Sequence, residues 1–286
     1  MSAGVRQGGV LSAHLFNVYV DNILTRLDNA GCAMAGLSLG SFMYADDLIL
    51  LAPSISELQA MVDICSDEIE SLDLKLNVSK STCIRVGKQW HSAPTAIHAN
   101  NDLIEWASEI LYLGITILAA KKFTCSHDRL KSKFYSSFNA IYGKLGKIGD
   151  PFVTLNLIYN IALPCLLYAQ EALSLTTKSV TKTIEHPWSR VFMRLFGSWD
   201  NKIVAQCQFY TNYLPLGHLI NLRRSTFLLS LKSSPCSILR ALYELSANDD
   251  LSHLADAYSV SAHDFLLNPR VAINNYFVTY VNSISA

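Results

Sequence analysis

Two adjacent carboxylates, Asp46 and Asp47, follow Tyr44 and Ala45 between two apolar stretches of the chain. Ionised carboxylates beside a core are costly unless a cation or a hydrogen-bond network compensates their charge. Magnesium suits this role because it takes oxygen ligands, usually one or two carboxylates together with substrate phosphates. The pattern therefore predicts a magnesium site at the tip of a hairpin. An ordinary exposed turn, which Asp also favours, is the alternative.

A glycine-rich loop upstream of this hairpin leads into a predicted helix. The pair Gly8-Gly9 lacks side chains and lets a ligand or another strand approach the backbone closely. Ser12 predicts the helix N-cap, because its hydroxyl can accept a hydrogen bond from a free backbone N–H. Leu15, Tyr19 and Ile23 recur at helical spacing and predict one face of this helix.

The order of these segments resembles that of the reverse transcriptases of non-LTR, LINE-type retrotransposons. Arg6-Gln7-Gly8-Gly9 is similar to the family's block that positions template and nucleotide, and residues 44–47 are similar to its catalytic hairpin. Three further similar segments follow in the same order: residues 74–81, Tyr112-Leu113-Gly114-Ile115 and residues 163–171. The resemblance covers most of residues 4–171 and implies an RNA-directed DNA polymerase.

The resemblance implies catalytic roles for three side chains. Asp46 would be a direct ligand of the catalytic Mg²⁺ ions, with Mn²⁺ as a substitute, and Asp47 would ligate or orient them. Lys80 would neutralise or protonate the departing pyrophosphate. The reaction would be attack of a primer 3′-hydroxyl on the nucleotide α-phosphate, accelerated by positioning and by neutralisation of charge.

The resemblance also implies which residues hold the RNA template, the DNA primer and the deoxynucleoside triphosphates. Tyr44 and Ala45 would lie under the primer end and the incoming nucleotide. The primer would be gripped by Tyr112, Leu113 and Gly114. Template and nucleotide would be supported by Gln7, Gly8 and Gly9.

Family members carry another catalytic aspartate and the fingers before the glycine-rich block, and this chain has no room for either before Gly4. We therefore expect an incomplete polymerase whose missing palm and fingers would come from the parent polypeptide. Whether the chain catalyses is thus left open. The alternatives are a non-catalytic retrotransposon remnant, a nucleic-acid-binding module, and an unrelated α+β domain with an accidental Asp-Asp turn.

Composition indicates a protein of the cell interior with a sizeable core. The chain has 286 residues, of which 50% are hydrophobic. Seven cysteines without a Cys-x-x-Cys pair predict reduced, mostly buried thiols rather than a zinc knuckle. The N-terminus lacks the features of a signal peptide. Polar residues interrupt the uncharged stretch 151–170, so we expect no membrane span and a nuclear or cytoplasmic location.

Net charge is zero, but its distribution is uneven. Residues 121–149 contain seven basic side chains against one acidic one. Lys131, Lys133 and Lys144 are the candidates for contact with a nucleic-acid backbone, because such contacts come chiefly from Lys and Arg. A solvated basic face is the alternative. The aromatic residues in this stretch would either pack on the opposite side or contact the backbone: Phe134, Tyr135, Phe138 and Tyr142.

The predicted fold class is α+β. Residues 1–120 would form a partial polymerase palm, an antiparallel sheet with helices on one face, including a helix capped by Ser54 and Glu57. Residues 121–205 would form a helical thumb-like region, and 206–286 a C-terminal helical region of unknown role. Strands are predicted at 82–86 and 111–118. Helices are predicted at 131–145, 153–173, 181–196, 216–231 and 237–245, with breaks near Pro151, Pro187, Pro215 and Pro235.

Overall fold

The computed structural model describes residues 9–92, 94–146, 149–173 and 178–285, and the side chains of the helix that begins at Lys178 are described from residue 183 onward. The chain forms two compact units, one up to Thr124 and the other from Cys125. The first unit contains helices and strands, whereas the second is helical, so the chain as a whole is of the α+β class. The finer division into palm, thumb and C-terminal region stays a prediction.

The first unit consists of two helices and a series of short strands. Its elements are α1 Ser12–Arg26, β1 Ala33–Met34, β2 Leu37–Ser38, β3 Ser41–Tyr44, β4 Asp47–Leu50, α2 Ile55–Ser71, a 3₁₀ turn Val78–Lys80, β5 Thr82–Cys83, β6 Ile97–Ala99, β7 Asp102–Trp106, β8 Glu109–Tyr112 and β9 Ile115–Leu118. A further strand, β10 Thr124–Ser126, lies at the boundary between the units.

The prediction of a single antiparallel sheet is wrong for the part of the chain that the structure describes. The strands form separate small sheets, and β5 pairs with β7 in parallel. The predicted strand 82–86 is only two residues long, whereas the predicted strand 111–118 is a hairpin of β8 and β9. Short strands of this kind depend on tertiary contacts, so local alternation of apolar residues did not define their pairing.

Helix α2 lies at the centre of the first unit. Its N-cap Ser54 accepts a hydrogen bond from the Glu57 backbone N–H at 3.2 Å, as the capping pattern predicted. Met61 and Cys65 face one apolar cluster with α1 and the β3–β4 hairpin, while Val62 faces a second cluster with β6 and β7. Burial raises the pKa of the Cys65 thiol to about 12, so this cysteine stays a protonated core residue.

The buried face of α1 differs from the predicted one. Val20 and Ile23 are buried, whereas Leu15 and Tyr19 are exposed. The helix has two overlapping apolar stripes that share Ile23, and contact with α2 selects one of them. Ser12 is the first residue of the helix rather than its N-cap.

The second unit is helical. Its elements are α3 Asp128–Leu145, α4 Pro151–Leu157, a π-helical segment Ile158–Ala162, α5 Leu163–Leu167, α6 Lys178–Phe196, α7 Asn201–Tyr210, α8 Leu216–Lys232, α9 Ser237–Leu242, a second π-helical segment Tyr243–Ala247, α10 Asn248–Ala257, α11 Ala262–Leu267 and α12 Pro269–Ser285. The predicted helices 131–145 and 216–231 are confirmed within a few residues, while α7, α11 and α12 were not predicted.

Three predicted boundaries in this unit are wrong. Pro187 lies inside α6 and does not break it, because the helix buries Trp188 and Phe192 in the main core. Trp188 also donates its indole N–H to the Leu214 carbonyl oxygen at 3.0 Å. The predicted helix 153–173 ends at Leu167, and the predicted helix 237–245 continues through a π-helical segment into α10.

Two expectations from composition can be compared with the structure. The prediction of mostly buried thiols is wrong, because Cys65 is buried, Cys236 is exposed and the other five cysteines are partly exposed. None of the helices in the described ranges is long and apolar enough to cross a membrane.

Candidate active site

The Asp46 and Asp47 carboxylates lie at the tip of the β3–β4 hairpin. Tyr44 pairs with Asp47 across the hairpin, so Ala45 and Asp46 form a two-residue turn. Ala45 has a φ of 53°, in the left-handed region that residues with a side chain seldom adopt. A strained turn of this kind persists only where the surrounding structure fixes it.

Close backbone contacts at the other end of the hairpin provide that support. The Leu51 N–H donates to the Gly40 carbonyl oxygen at 2.7 Å, and the Cys32 N–H donates to the Leu51 carbonyl oxygen at 2.8 Å. A Cβ atom on Gly40 would lie 1.9 Å from the Ala30 carbonyl oxygen. Glycine is therefore required where these chain segments cross. Glu57 of α2 fixes the same crossing by accepting a hydrogen bond from the Gly31 N–H at 3.0 Å.

The two carboxylates suit a hydrated divalent cation. Both residues are exposed, and neither side chain has an ion pair or hydrogen bond to another residue of the described ranges. Two oxygen donors side by side fit Mg²⁺, which takes one or two carboxylates and fills its shell with water or phosphate oxygen. No cluster of three or more His, Cys, Asp or Glu side chains that could hold a metal occurs in the part of the chain described.

Tyr112 is brought to the carboxylate hairpin from a distant part of the sequence. It ends β8 and pairs with Ile115 of β9 across a turn in which Leu113 and Gly114 both have positive φ, the geometry of a tight hairpin turn. Partial burial raises the pKa of the Tyr112 hydroxyl, and the negative charge of Asp47 raises this pKa further. The Tyr112 side chain therefore lies within electrostatic range of Asp47.

Among the described residues, no hydrogen bond or ion pair joins two other predicted site residues, Lys80 and Gly9, to the β3–β4 hairpin. Lys80 is exposed at the end of the 3₁₀ turn, which packs on β7, and it makes no ion pair with a described residue. Gly9 accepts a hydrogen bond from the Ser12 N–H at 3.1 Å and so supports the start of α1. Gln7 and Gly8 lie outside the described residues.

In the second unit, the three lysines of α3 that were predicted to contact nucleic acid differ in exposure and pairing. Lys133 and Lys144 are exposed, and their spacing of eleven residues, about three turns, puts them on one side of the helix. Lys131 is different, because its Nζ lies 2.7 Å from an Asp128 carboxylate oxygen and its side chain is only 23% exposed. The aromatic alternative is also resolved: Phe134 and Phe138 are buried in the core, with Tyr135 and Tyr142 packed against them.

One group of polar side chains was missed from the sequence. Glu185, His218, Asn221, Arg224, Tyr258 and Tyr276 line a cleft in the second unit. They come from four separate regions of the chain: His218, Asn221 and Arg224 recur every three residues along α8, while Glu185, Tyr258 and Tyr276 lie on other helices or at their ends. The polar spacing on α8 was the local signal, and such a spacing is too common on exposed helices to indicate a site.

Comparison with known proteins finds a similar family for the first part of the chain. Residues 1–117 match the family model for reverse transcriptase, an RNA-dependent DNA polymerase. This match ends before the helical second unit begins. The chain is also similar to the Pol polyprotein of the R2 retrotransposable element of Nasonia vitripennis, with 48% identity over 148 residues, which are 51% of this chain and 14% of that protein.

Two further relatives come from Drosophila melanogaster. The Pol polyprotein of element R2DM is 30% identical over 132 residues, covering 43% of this chain and 12% of the polyprotein. The RNA-directed DNA polymerase of mobile element jockey is 26% identical over 215 residues, covering 69% of this chain and 22% of the relative. The recognition of a non-LTR reverse transcriptase is thus confirmed, and the chain spans less than a quarter of each of these relatives. No solved structure matches the chain significantly.

Proposed function

We propose that this chain is the part of an RNA-directed DNA polymerase that carries the metal-binding hairpin and the start of the helical thumb. The observation that carries the proposal is the exposed Asp46–Asp47 turn of the β3–β4 hairpin, within a segment similar to reverse transcriptases. On this reading, residues up to about 120 serve as the palm and the helices that follow serve as the thumb.

The roles of the hairpin residues follow from their positions. Asp46 and Asp47 would hold Mg²⁺ or Mn²⁺, which when bound would neutralise charge on the reacting phosphates. The exposed turn at Ala45 leaves the backbone accessible, so primer end and nucleotide can rest on Tyr44 and Ala45. The primer 3′-oxygen would form a bond to the α-phosphorus as the bond to pyrophosphate breaks.

The β8–β9 hairpin would set the position of the primer. Tyr112 lies within electrostatic range of Asp47, and Leu113 and Gly114 form a tight turn next to it in which Leu113 is exposed, so the three residues can contact a primer strand that ends at the carboxylates. Pre-set geometry of this kind can supply a large part of a polymerase's rate enhancement. Lys80 would supply positive charge or a proton to the departing pyrophosphate after a rearrangement that brings it to the site.

The template, the primer and the deoxynucleoside triphosphates are the proposed partners. Lys133 and Lys144 are the best candidates for backbone contacts, because both are exposed on one side of α3. We propose that a further carboxylate and the fingers come from the rest of a longer polypeptide, since the chain spans less than a quarter of each of these relatives.

The decisive experiment is primer extension by a fusion in which the upstream palm and fingers of the Nasonia vitripennis R2 relative precede this chain. We expect magnesium-dependent extension on an RNA template. Asp46→Asn should lower the extension rate roughly 10³-fold, because the variant lacks a group that stabilises charge in the transition state. Asp67→Asn is the matched control, because Asp67 is also an exposed carboxylate but lies on α2. Equal extension by the wild-type fusion and Asp46→Asn would refute the proposal.

The chain without an upstream segment provides a second test. Two carboxylates leave most of a magnesium shell to water, so we expect weak binding and no processive synthesis. Calorimetry with magnesium alone measures the affinity, again with Asp46→Asn as the reference. Submicromolar, Asp46-dependent affinity would contradict this expectation, since it corresponds to more than about 8 kcal/mol of binding free energy.

A nucleic-acid-binding module without polymerase activity is the second candidate. It is favoured by the exposed Lys133 and Lys144 face, which does not depend on the carboxylates. Binding of a primer–template duplex by a fusion that fails to extend it would support this candidate.

A further inference from the structure

A cleft in the second unit collects polar and aromatic side chains that the proposed polymerase reaction does not use. Its volume is about 400 Å³, within the range of small-ligand sites. Glu185 reaches it from α6, Asn221 and Arg224 from α8, Tyr258 from the end of α10, and Tyr276 from α12. His218, in the first turn of α8, contacts the rings of both Tyr258 and Tyr276.

Hydrogen bonds link three side chains of this cleft. The Asn221 side-chain N–H donates to the Tyr258 hydroxyl oxygen at 2.8 Å, and that hydroxyl lies 2.9 Å from His218 Nδ1. The histidine tautomer decides whether the hydroxyl donates to Nδ1 or accepts from it, and in either tautomer the other ring nitrogen, Nε2, is left to bond a ligand. Burial lowers the pKa of His218 to about 4 and raises that of Tyr258 to about 12, so both groups are neutral at pH 7.

Tyr276 supplies an aromatic surface at the cleft. Its ring is held edge-on against Tyr258, with ring centroids 5.3 Å apart and an interplanar angle of 90°. A second edge contact, to His218, has a centroid distance of 6.0 Å. The residue nevertheless remains 40% exposed, so part of its surface can stack on a ligand.

The charged groups favour a neutral ligand over an anion. Arg224 is paired with Asp250, with 2.7 Å between Nη2 and the carboxylate oxygen. Glu185 adds a second carboxylate, and a Cβ atom on Gly217 would lie only 2.1 Å from its Oε1, so the glycine makes room for it. Two carboxylates against one guanidinium would repel a phosphate, while carboxylate, amide and guanidinium can all bond the edge of a neutral heterocycle.

We propose that this cleft binds an unpaired nucleobase of single-stranded RNA, stacked on Tyr276 and hydrogen-bonded by the Asn221–Tyr258–His218 group and Glu185. Recognition of unpaired bases by aromatic stacking and by contacts to their polar edges is the usual way in which proteins read RNA. The choice of RNA rests on the proposed function, whereas the preference for a base over a phosphate rests on the charges of the cleft itself.

The test is fluorescence of a single-stranded RNA heptamer with 2-aminopurine at its centre, titrated with the full chain. Stacking on Tyr276 should quench the probe, and Tyr276→Ala should weaken binding roughly tenfold or more, as expected for loss of one stacked base. Tyr276→Phe keeps the ring and should retain binding. Tyr280→Ala is the matched control, because Tyr280 is 45% exposed one turn later on α12 and is not part of the cleft.

Two competitors separate the base from the phosphate. A nucleoside should displace the heptamer, whereas ribose 5-phosphate should not. Equal quenching by wild type and Tyr276→Ala, equally tight binding of a heptamer that is abasic at its centre, or displacement by ribose 5-phosphate would each overturn the proposal.

A second variant keeps the test decisive if Tyr276→Ala does not fold. Glu185→Gln retains the size of the side chain and should weaken heptamer binding about fivefold, since one charged hydrogen bond becomes neutral. The proposed polymerase function is judged separately, by primer extension of the fusion. Primer extension without quenching of the heptamer would overturn only the proposal that the cleft binds a base. Quenching without primer extension would overturn only the proposed polymerase function.

Discussion

The Asp46–Asp47 turn and the cleft around His218 hold their polar groups in opposite ways. In the turn, two exposed carboxylates lack side-chain partners among the described residues, and a strained backbone at Ala45 fixes their position. In the cleft, neutral side chains are largely buried and bonded to one another.

This difference matches the kind of ligand that each region can bind. Exposed carboxylates keep their charge and can meet a hydrated cation without first losing a protein partner. A buried and internally bonded set instead holds its polar atoms in fixed positions, which suits an uncharged ligand with donors and acceptors at matching positions. The backbone determines the geometry of the first region, and side-chain packing determines that of the second.

The largest expected effect tests how rigidly the hairpin is held. Gly40→Ala should lower the free energy of unfolding of the first unit by about 3 kcal/mol, because its Cβ atom would meet the Ala30 carbonyl oxygen. Gly217→Ala should cost much less, because the atom it meets is the mobile end of Glu185. Urea unfolding measures both changes, and hydrogen exchange at residues 41–51 shows whether Gly40→Ala loosens the hairpin.

Gly143→Ala is the matched control for these two variants. A Cβ atom on Gly143 would meet nothing within 4 Å, and this residue lies in α3, so alanine should stabilise the helix by up to about 1 kcal/mol. Equal stability of Gly40→Ala and the wild type would show that the crossing beneath the hairpin is not rigid.

The second prediction uses pH to test the burial of the cleft. The pKa of His218 is about 4 in the folded protein against an ordinary value of 6.5, so protonation favours the unfolded chain. The free energy of unfolding should therefore fall as the pH drops from about 6.5 to 4. His218 should account for roughly 3 kcal/mol of this fall, and its contribution should then stay constant at lower pH.

Urea unfolding at several pH values measures the contribution of His218, as the difference between the free energies of unfolding of the wild type and His218→Gln. His263→Gln is the control, since His263 is exposed and its removal should leave the decline intact. If the stability of His218→Gln had the same pH dependence as that of the wild type, His218 would not be a buried neutral side chain.

The third prediction concerns the two kinds of lysine on α3. Replacing Lys133 and Lys144 with Glu should weaken duplex binding at least about tenfold and reduce its salt dependence, because phosphate contacts release counterions. Lys131→Gln should change binding less, since Lys131 is already paired with Asp128. Adding Lys131→Glu to the double variant should abolish binding.

Fluorescence anisotropy of a labelled primer–template duplex at two salt concentrations provides the measurement. Unchanged affinity in the double variant would assign these lysines to a solvated surface.

The smallest expected effect concerns backbone strain at the turn. Ala45→Gly should stabilise the first unit by about 1 kcal/mol, because glycine adopts a φ of 53° without a steric penalty. Ala60→Gly is the control, since Ala60 is exposed inside α2 and glycine there should destabilise the helix by about 1 kcal/mol. Thermal unfolding compares the two, and destabilisation of similar size in both variants would mean that Ala45 is unstrained.

The sequence was most informative where structure depends on neighbouring residues. The Tyr44-Ala45-Asp46-Asp47 order predicted the hairpin, and Ser54 with Glu57 predicted the start of α2. Both features are set by turn and capping chemistry within a few residues. The family recognition likewise depended on short segments in a fixed order.

Tertiary structure decided the features that depend on which surfaces meet. Contact with α2 selected the buried stripe of α1, core burial of Trp188 kept α6 intact through Pro187, and the pair with Asp128 distinguished Lys131 from Lys133. The approach of Tyr112 to Asp47 is of the same kind.

The cleft shows this division most clearly. Residue types alone predicted a metal site at the two carboxylates of the hairpin, with an ordinary exposed turn as the alternative, because ionised carboxylates beside apolar strands are costly unless they are compensated. His218, Tyr258 and Tyr276 are separated by long stretches of sequence and acquire their neutral, hydrogen-bonded state through burial between helices. Local sequence specified the turn, whereas only long-range packing could bring the cleft's side chains together and shift their pKa values, because desolvation depends on neighbours that local order does not fix.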